Sequence, residues 1–184
     1  MRVIAGSARS LNLKTVKSLG TRPTTDRIKE TLFNILQNDI ERCVFLDLFS
    51  GSGAIGIEAL SRGAKSAYFV ENNKEALKCI DENLTHTKLK DNATVLGYDV
   101  LMAIDRLEAE NITFDIIFMD PPYEKEFEKK VLIRLKASNV ADNNTLIIIE
   151  ADKRTDFDYL DELGYEIVKE KVYKTNKHIF ARKK

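Results

Sequence analysis

Four consecutive residues carry the most pointed chemistry in the chain: Asp120-Pro121-Pro122-Tyr123. Two prolines fix φ and remove two N–H donors, so the segment is stiff and offers acceptors, the Asp120 carboxylate and the Pro121 carbonyl. Tyr123 adds an aromatic face. The set suits a planar group bearing an NH₂. An exocyclic amine on a nucleobase is a poor nucleophile, because its lone pair is delocalised into the ring. If the two acceptors each take one N–H, the nitrogen can move toward tetrahedral geometry and aim that lone pair at an electrophilic carbon. Positioning and stabilisation of the charge developing on nitrogen would then do most of the catalysis. Tyr123 would stack on a base that is flipped out or taken from an unpaired loop.

A second constellation lies upstream. Asp47-Leu48-Phe49-Ser50-Gly51-Ser52-Gly53-Ala54-Ile55-Gly56 contains a complete G-x-G-x-x-G at Gly51, Gly53 and Gly56. Glycines there permit a tight turn and close approach of a ligand to the backbone, and the helix that follows presents free N–H groups. Twenty residues after Gly51, Glu71 ends the next apolar run, where a carboxylate can accept both hydroxyls of a ribose. These features serve a dinucleotide and S-adenosylmethionine equally well. Asp99, in Gly97-Tyr98-Asp99-Val100, is placed either to accept from the exocyclic amine of an adenine or to cap the helix after it.

Elements must position these groups, and the hydrophobic pattern supplies them. Short apolar runs at 44–48, 67–71, 94–96, 114–120 and 146–150 are near-continuous and rich in β-branched and aromatic residues, which predicts strands buried on both faces. Amphipathic segments at 54–62, 74–84, 100–108 and 124–135 predict helices between them. Strand and helix in alternation imply a mostly parallel sheet with helices on both sides. In such a sheet ligands bind outside the carboxyl ends of the strands, so the glycine loop and the Asp120 loop are expected to face one crevice. Tyr165–Tyr173 and His178–Arg182 alternate around a polar turn and predict an antiparallel hairpin. Before the first strand, Ile28, Leu32, Ile35 and Leu36 recur at helical spacing, with Phe33 and Ile40 widening the stripe. A helix of about four turns ending near Glu41 is expected, capped by Thr24 or Thr25.

Length and composition exclude several classes. The chain of 184 residues is 43% hydrophobic, in distinct blocks, which suits one folded domain rather than disorder. No apolar run approaches a membrane span and the N-terminus has no secretory pattern, so a cytoplasmic protein is the default. Cys43 and Cys79 are too few for a disulfide framework, and His86 and His178 lie far apart with no ligand-like spacing, so no metal site is expected. Net charge is zero, from 29 basic and 29 acidic residues, yet residues 1–25 contain five basic residues and no acid. From Lys169 to Lys184 the chain holds seven basic residues and Glu170 alone as an acid. Positive ends on a neutral chain suit a polyanion meeting one face, or equally a pair of solvated termini.

The residues that carry these features also resemble a known family. The segment from Asp47 to Leu60, Glu71, Asp99 and Asp120 to Tyr123, in that order, resemble the class I S-adenosylmethionine-dependent methyltransferases that act on exocyclic amines. Arg2-Val3-Ile4-Ala5-Gly6, the run from Arg22 to Asn34, and Glu58-Ala59-Leu60-Ser61-Arg62-Gly63-Ala64 sharpen the likeness. Together they resemble the bacterial 16S rRNA guanine-N2 methyltransferases of the RsmD type, which modify the guanine conventionally numbered 966. The resemblance spans essentially the whole chain. It implies a Rossmann-like, doubly wound α/β fold with a mostly parallel seven-stranded sheet and an antiparallel C-terminal hairpin. A basic extension at 1–24 would pack on a single methyltransferase domain at 25–184. It also implies S-adenosylmethionine as cofactor and 16S rRNA, within a small ribosomal subunit or assembly intermediate, as partner, with a monomer as default.

Carried over by position, Ser50, Gly51 and Gly53 would surround the methionine part of the cofactor, with Asp47 supporting the loop and Phe49 and Asn72 beside it. Glu71 would hold the ribose, Asp99 and Val100 the adenine, and Asp120, Pro121, Pro122 and Tyr123 the target guanine. Arg2, Arg9, Arg22 and Arg27 would meet RNA, although Arg27 could instead pair with Glu30 or Asp26. Phe is also common at the position of Tyr123, and Gly6-Ser7-Ala8-Arg9-Ser10 is not especially rich in glycine and arginine. Rival readings are an N6-adenine DNA or RNA methyltransferase, a protein-glutamine amide methyltransferase, an NAD-dependent dehydrogenase, and a non-catalytic RNA-binding assembly factor. The dehydrogenase leaves Asp120 to Tyr123 unexplained. The binding module has no need of a stiff acceptor loop.

Overall fold

The apolar runs do become strands. The computed structural model describes residues 1–16, 26–121 and 127–184. In chain order the described elements are α1 (Asp26–Ile35), β1 (Val44–Asp47), α2 (Ala54–Ser61), β2 (Ser66–Val70), α3 (Lys74–Thr87), β3 (Ala93–Leu96) and α4 (Val100–Ala109). There follow β4 (Ile116–Met119), α5 (Phe127–Lys136), β5 (Leu146–Asp152), α6 (Tyr159–Glu162), β6 (Tyr165–Val172) and β7 (Asn176–Lys183). The strands form one sheet in the order β3-β2-β1-β4-β5-β7-β6. β1 with β2, β2 with β3, and β4 with β5 pair in parallel, whereas β7 is antiparallel to both β5 and β6. The mostly parallel α/β sheet with an antiparallel hairpin is the architecture the sequence leads one to expect. No helix among the described residues is long and apolar enough to cross a membrane.

The chain divides into two compact units, Met1–Asp99 and Val100–Lys184. In the first, Phe45 and Leu46 of β1 and Phe69 of β2 are fully buried. α2 is buried along its whole length, which explains why its sequence, AIGIEALS, is apolar on every side except at Glu58 and Ser61. α3 starts at a side-chain cap: Asn73 accepts from the Glu75 and Ala76 amides. α1 departs from expectation, ending at Ile35 rather than near Glu41. Asn38 and Asp39 favour turns over helix, and the chain closes with Asp39 and Ile40 N–H both donating to the Leu36 carbonyl. Ile40 still reaches the core by this route. Ahead of α1, Arg2 and Asn12 form an antiparallel bridge, so the first residues fold back on themselves as a hairpin.

In the second unit every residue of β4 is buried, as are Leu146 to Ala151 of β5. That matches their continuous apolar sequence and a strand covered on both faces. β6, by contrast, is exposed from Glu166 onward. Its pairing slips between Ile167 and Lys169, a bulge at the point where Ile167-Val168 breaks the alternation.

Candidate active site

The glycine loop is built around Asp47. This residue ends β1, is 1% exposed, and accepts from the Gly56 amide through Oδ2 at 3.2 Å. Its Oδ1 is buried with no hydrogen-bond partner among the described residues. Burial pushes its pKa up to about 7, and the nearby Glu71 carboxylate adds to the shift, against the pull of the Gly56 and Phe49 amides. Ser50 Oγ donates to the Asp47 carbonyl at 2.9 Å, and Gly53 N–H to the Ser50 carbonyl at 2.7 Å, which folds the loop tightly. The glycines have separate reasons. Gly53, at φ +79, caps α2 without a side chain, and at Gly56 a Cβ would lie 2.3 Å from the Phe69 ring, so only hydrogen lets α2 sit on β2.

Glu71 stands just past β2, half-buried. One oxygen accepts the Gly51 amide at 2.9 Å, and the other accepts the Asn72 and Asn73 amides, each at 2.9 Å. The acid thus ties the glycine loop to the end of β2 and keeps lone-pair capacity for a further donor. Phe49 is half-buried, Asn72 and Asp99 are exposed, and Asp99 directly precedes Val100, the buried first residue of α4. A buried carboxylate with a spare oxygen, a glycine turn at Gly51 where a Cβ would touch nothing, and a strand-end acid fit a cofactor with a cationic amino group and a ribose.

On the second unit, Asp120 follows β4 directly and is partly exposed, while Pro121 is buried. Pro122 and Tyr123 lie outside the described residues, as does Arg22. Arg2 donates through Nε to Asp26 Oδ2 at 3.1 Å, so Asp26 ties the hairpin to α1. Arg9 and Arg27 are exposed. Among the described residues no group of three His, Cys, Asp or Glu could hold a metal ion.

Comparison with known proteins settles the family. The family model described as conserved hypothetical protein 95 matches residues 1–182. Ribosomal RNA small subunit methyltransferase D of Haemophilus influenzae is 37% identical over 83% of this chain and 79% of its own length. This chain belongs to the ribosomal RNA small subunit methyltransferase D family. The Escherichia coli member is 35% identical over 83% of this chain and 75% of its own length. A structure of a hypothetical protein from Thermus thermophilus superposes with a TM-score of 0.83 at 29% identity, covering 98% of each chain. The chain is therefore an enzyme of a methyltransferase family.

Two clusters escaped the sequence reading. One explains why Glu58 to Gly63 matters without touching the glycine loop. Glu58 accepts the Ile4 and Ala5 amides at 2.8 and 3.0 Å and pairs with Lys29 at 3.0 Å and Arg62 at 2.8 Å. Ser61 Oγ donates to the Ala5 carbonyl and accepts the Ala8 amide. Gly6 lies so close that a Cβ would sit 1.6 Å from the Ser61 carbonyl oxygen. The signal was in the sequence as a glutamate and a serine inside an otherwise apolar helix. The other cluster joins Glu150, Asn176, His178 and Tyr173. His178 gave no local sign, because its partners lie on another strand and across the hairpin turn.

Proposed function

We propose that the chain is an S-adenosylmethionine-dependent methyltransferase that modifies the exocyclic N2 of a guanine in 16S rRNA, the guanine numbered 966 being the family's target. The observation that carries this reading is the Asp120-Pro121 acceptor pair at the carboxyl end of a buried strand in a chain of this family. Asp47, Phe49, Ser50, Gly51, Gly53, Glu71, Asn72, Asp99 and Val100 would hold the cofactor. Glu71 offers its remaining lone pairs to the ribose, and the spare oxygen of Asp47 offers itself to the amino group. When bound, S-adenosylmethionine supplies a sulfonium methyl as the electrophile.

The protein's part is to orient the amine. Asp120 and the Pro121 carbonyl each accept one N–H, which frees the nitrogen lone pair, and Tyr123 stacks on the base. As nitrogen gains the methyl and the bond from that methyl to the sulfonium sulfur breaks, nitrogen loses one N–H proton, which the Asp120 carboxylate would take. Arg2, Arg9, Arg22 and Arg27 would meet phosphate, with residues 1–24 acting as a basic extension of the methyltransferase domain. With a monomer as the default, the short basic arm favours RNA already shaped by ribosomal proteins as the substrate. Equal methylation of protein-free rRNA and assembled particles would sink that last point.

Asp120→Ala tests the reading. Turnover should fall at least about a hundredfold while S-adenosylmethionine binding persists, since the substitution removes a group that acts on the target amine. A non-catalytic RNA-binding protein would lose nothing measurable.

A further inference from the structure

Register brings Glu150, the centre of the second cluster, level with Asp120. Met119 of β4 pairs in parallel with Ile149 of β5, so the next residues outward, Asp120 and Glu150, stand at one level on neighbouring strands. Side chains alternate along a strand, so Phe118 and Asp120 share a face, and Glu150 shares it with them. His178 marks that same face: its ring centroid lies 6.1 Å from that of Phe118, and its Nε2 is 3.1 Å from Glu150 Oε2. The other oxygen, Oε1, accepts from Asn176 Nδ2 at 2.6 Å. Behind them, the Tyr173 hydroxyl lies 3.2 Å from His178 Nδ1.

This wiring fixes the Asn176 carboxamide. A carboxylate only accepts, so the NH₂ end must face Glu150 and Oδ1 must face away. Asn176 is 6% exposed, and its Oδ1 is buried with no hydrogen-bond partner among the described residues. A buried acceptor left over in an otherwise satisfied network calls for a donor.

We propose that Asn176 is a specificity-determining residue whose Oδ1 accepts the ring N1–H of the target guanine, while Asp120 and the Pro121 carbonyl take the exocyclic amine. The proposal rests on the guanine-N2 reading above. Guanine carries the N1–H donor directly beside its amine, whereas adenine carries an acceptor nitrogen beside its own. An acceptor from the protein at this position admits the first and rejects the second, because a site built to bond a donor is left with an unpaired group when the donor is missing. Glu150, His178 and Tyr173 act through Asn176 as positioning residues, holding the amide in one orientation.

The test compares kcat/KM for the full chain on reconstituted small-subunit particles carrying guanine or 2-aminopurine at the target position. 2-Aminopurine keeps the amine and has no N1–H. Wild-type enzyme should prefer guanine by at least about tenfold. Asn176→Ala should reduce that preference toward unity while S-adenosylmethionine binding is unchanged. If Asn176→Ala fails to bind cofactor, Asn176→Ser, which removes Oδ1 and keeps a hydroxyl beside Glu150, carries the same expectation. Equal use of both bases by the wild type would overturn the proposal. So would a cofactor-binding Asn176 variant that retains the full preference, which is the result of a merely structural role. No transfer by the wild type to guanine particles would instead overturn the guanine-N2 reading itself.

Discussion

Two glutamates, one in each unit, are buried alike and wired differently. Glu58 is 0% exposed, and each of its oxygens takes one cation and one backbone amide: Lys29 with Ile4, and Arg62 with Ala5. Glu150 is 6% exposed and is held by an amide and an imidazole, and the amide keeps an unused acceptor. The first cluster is saturated and fastens the N-terminal hairpin to α2. The second has hydrogen-bonding capacity left over, on Asn176 of β7. Burial of charge does not by itself mark a working site, and the leftover capacity is the better sign.

Breaking the saturated cluster should cost most. Glu58→Ala leaves Lys29 fully buried without its counter-charge, and the loss should be about 3–5 kcal/mol in urea unfolding. Burial already holds the Lys29 ammonium below the ordinary lysine range, with Glu58 opposing that shift, so removing Glu58 takes away what keeps it charged. Gly6→Ala attacks the same tether from the other side. A Cβ at φ +82 cannot coexist with the Ser61 carbonyl, so the hairpin must lift, at about 1–3 kcal/mol, and limited proteolysis within residues 1–16 should accelerate.

Asp47 sharpens the comparison, being a buried carboxylate with neither a cation nor a full set of donors. Its folded pKa, about 7, lies above the unfolded value, so the folded state binds the extra proton between the ordinary carboxylate range and pH 7. The stability this contributes is complete below that range and is lost as pH rises to about 7, by at most about 1.4 kcal/mol per pH unit. Asp47→Asn should remove that slope from denaturant midpoints measured between pH 4 and 7. The smallest effect is expected at the unsaturated cluster. Glu150→Gln should cost about 1 kcal/mol in urea unfolding, because no buried cation is stranded.

How legible all this was depends on the range of the contacts. The parallel strands could be read because a strand covered on both faces must be apolar at nearly every position, as Ile116 to Met119 and Leu146 to Ile149 are. The glycine loop was legible for the same local reason, since Gly53 and Gly56 answer to a positive φ and to the Phe69 ring within one strand-helix-strand unit. α1 ends short of the expected Glu41 because the apolar stripe continues to Ile40 through a turn that keeps the periodicity without the helix. The hairpin's anchorage and the Glu150 cluster stayed hidden because the contacts that define them, Glu58 with the Ile4 amide and Glu150 with Asn176 and His178, span more than twenty residues and share no spacing rule. His178 has no ligand-like neighbours in sequence and is held by a glutamate on the neighbouring strand and a tyrosine across the hairpin turn.

The atom that receives the methyl group separates a guanine-N2 enzyme from its rivals. Small-subunit particles from cells lacking the endogenous enzyme should be incubated with the full chain and labelled S-adenosylmethionine, and the RNA digested to nucleosides. Label in N2-methylguanosine is the expected result. Label in N6-methyladenosine, or no transfer to any particle despite measurable cofactor binding, would contradict the account.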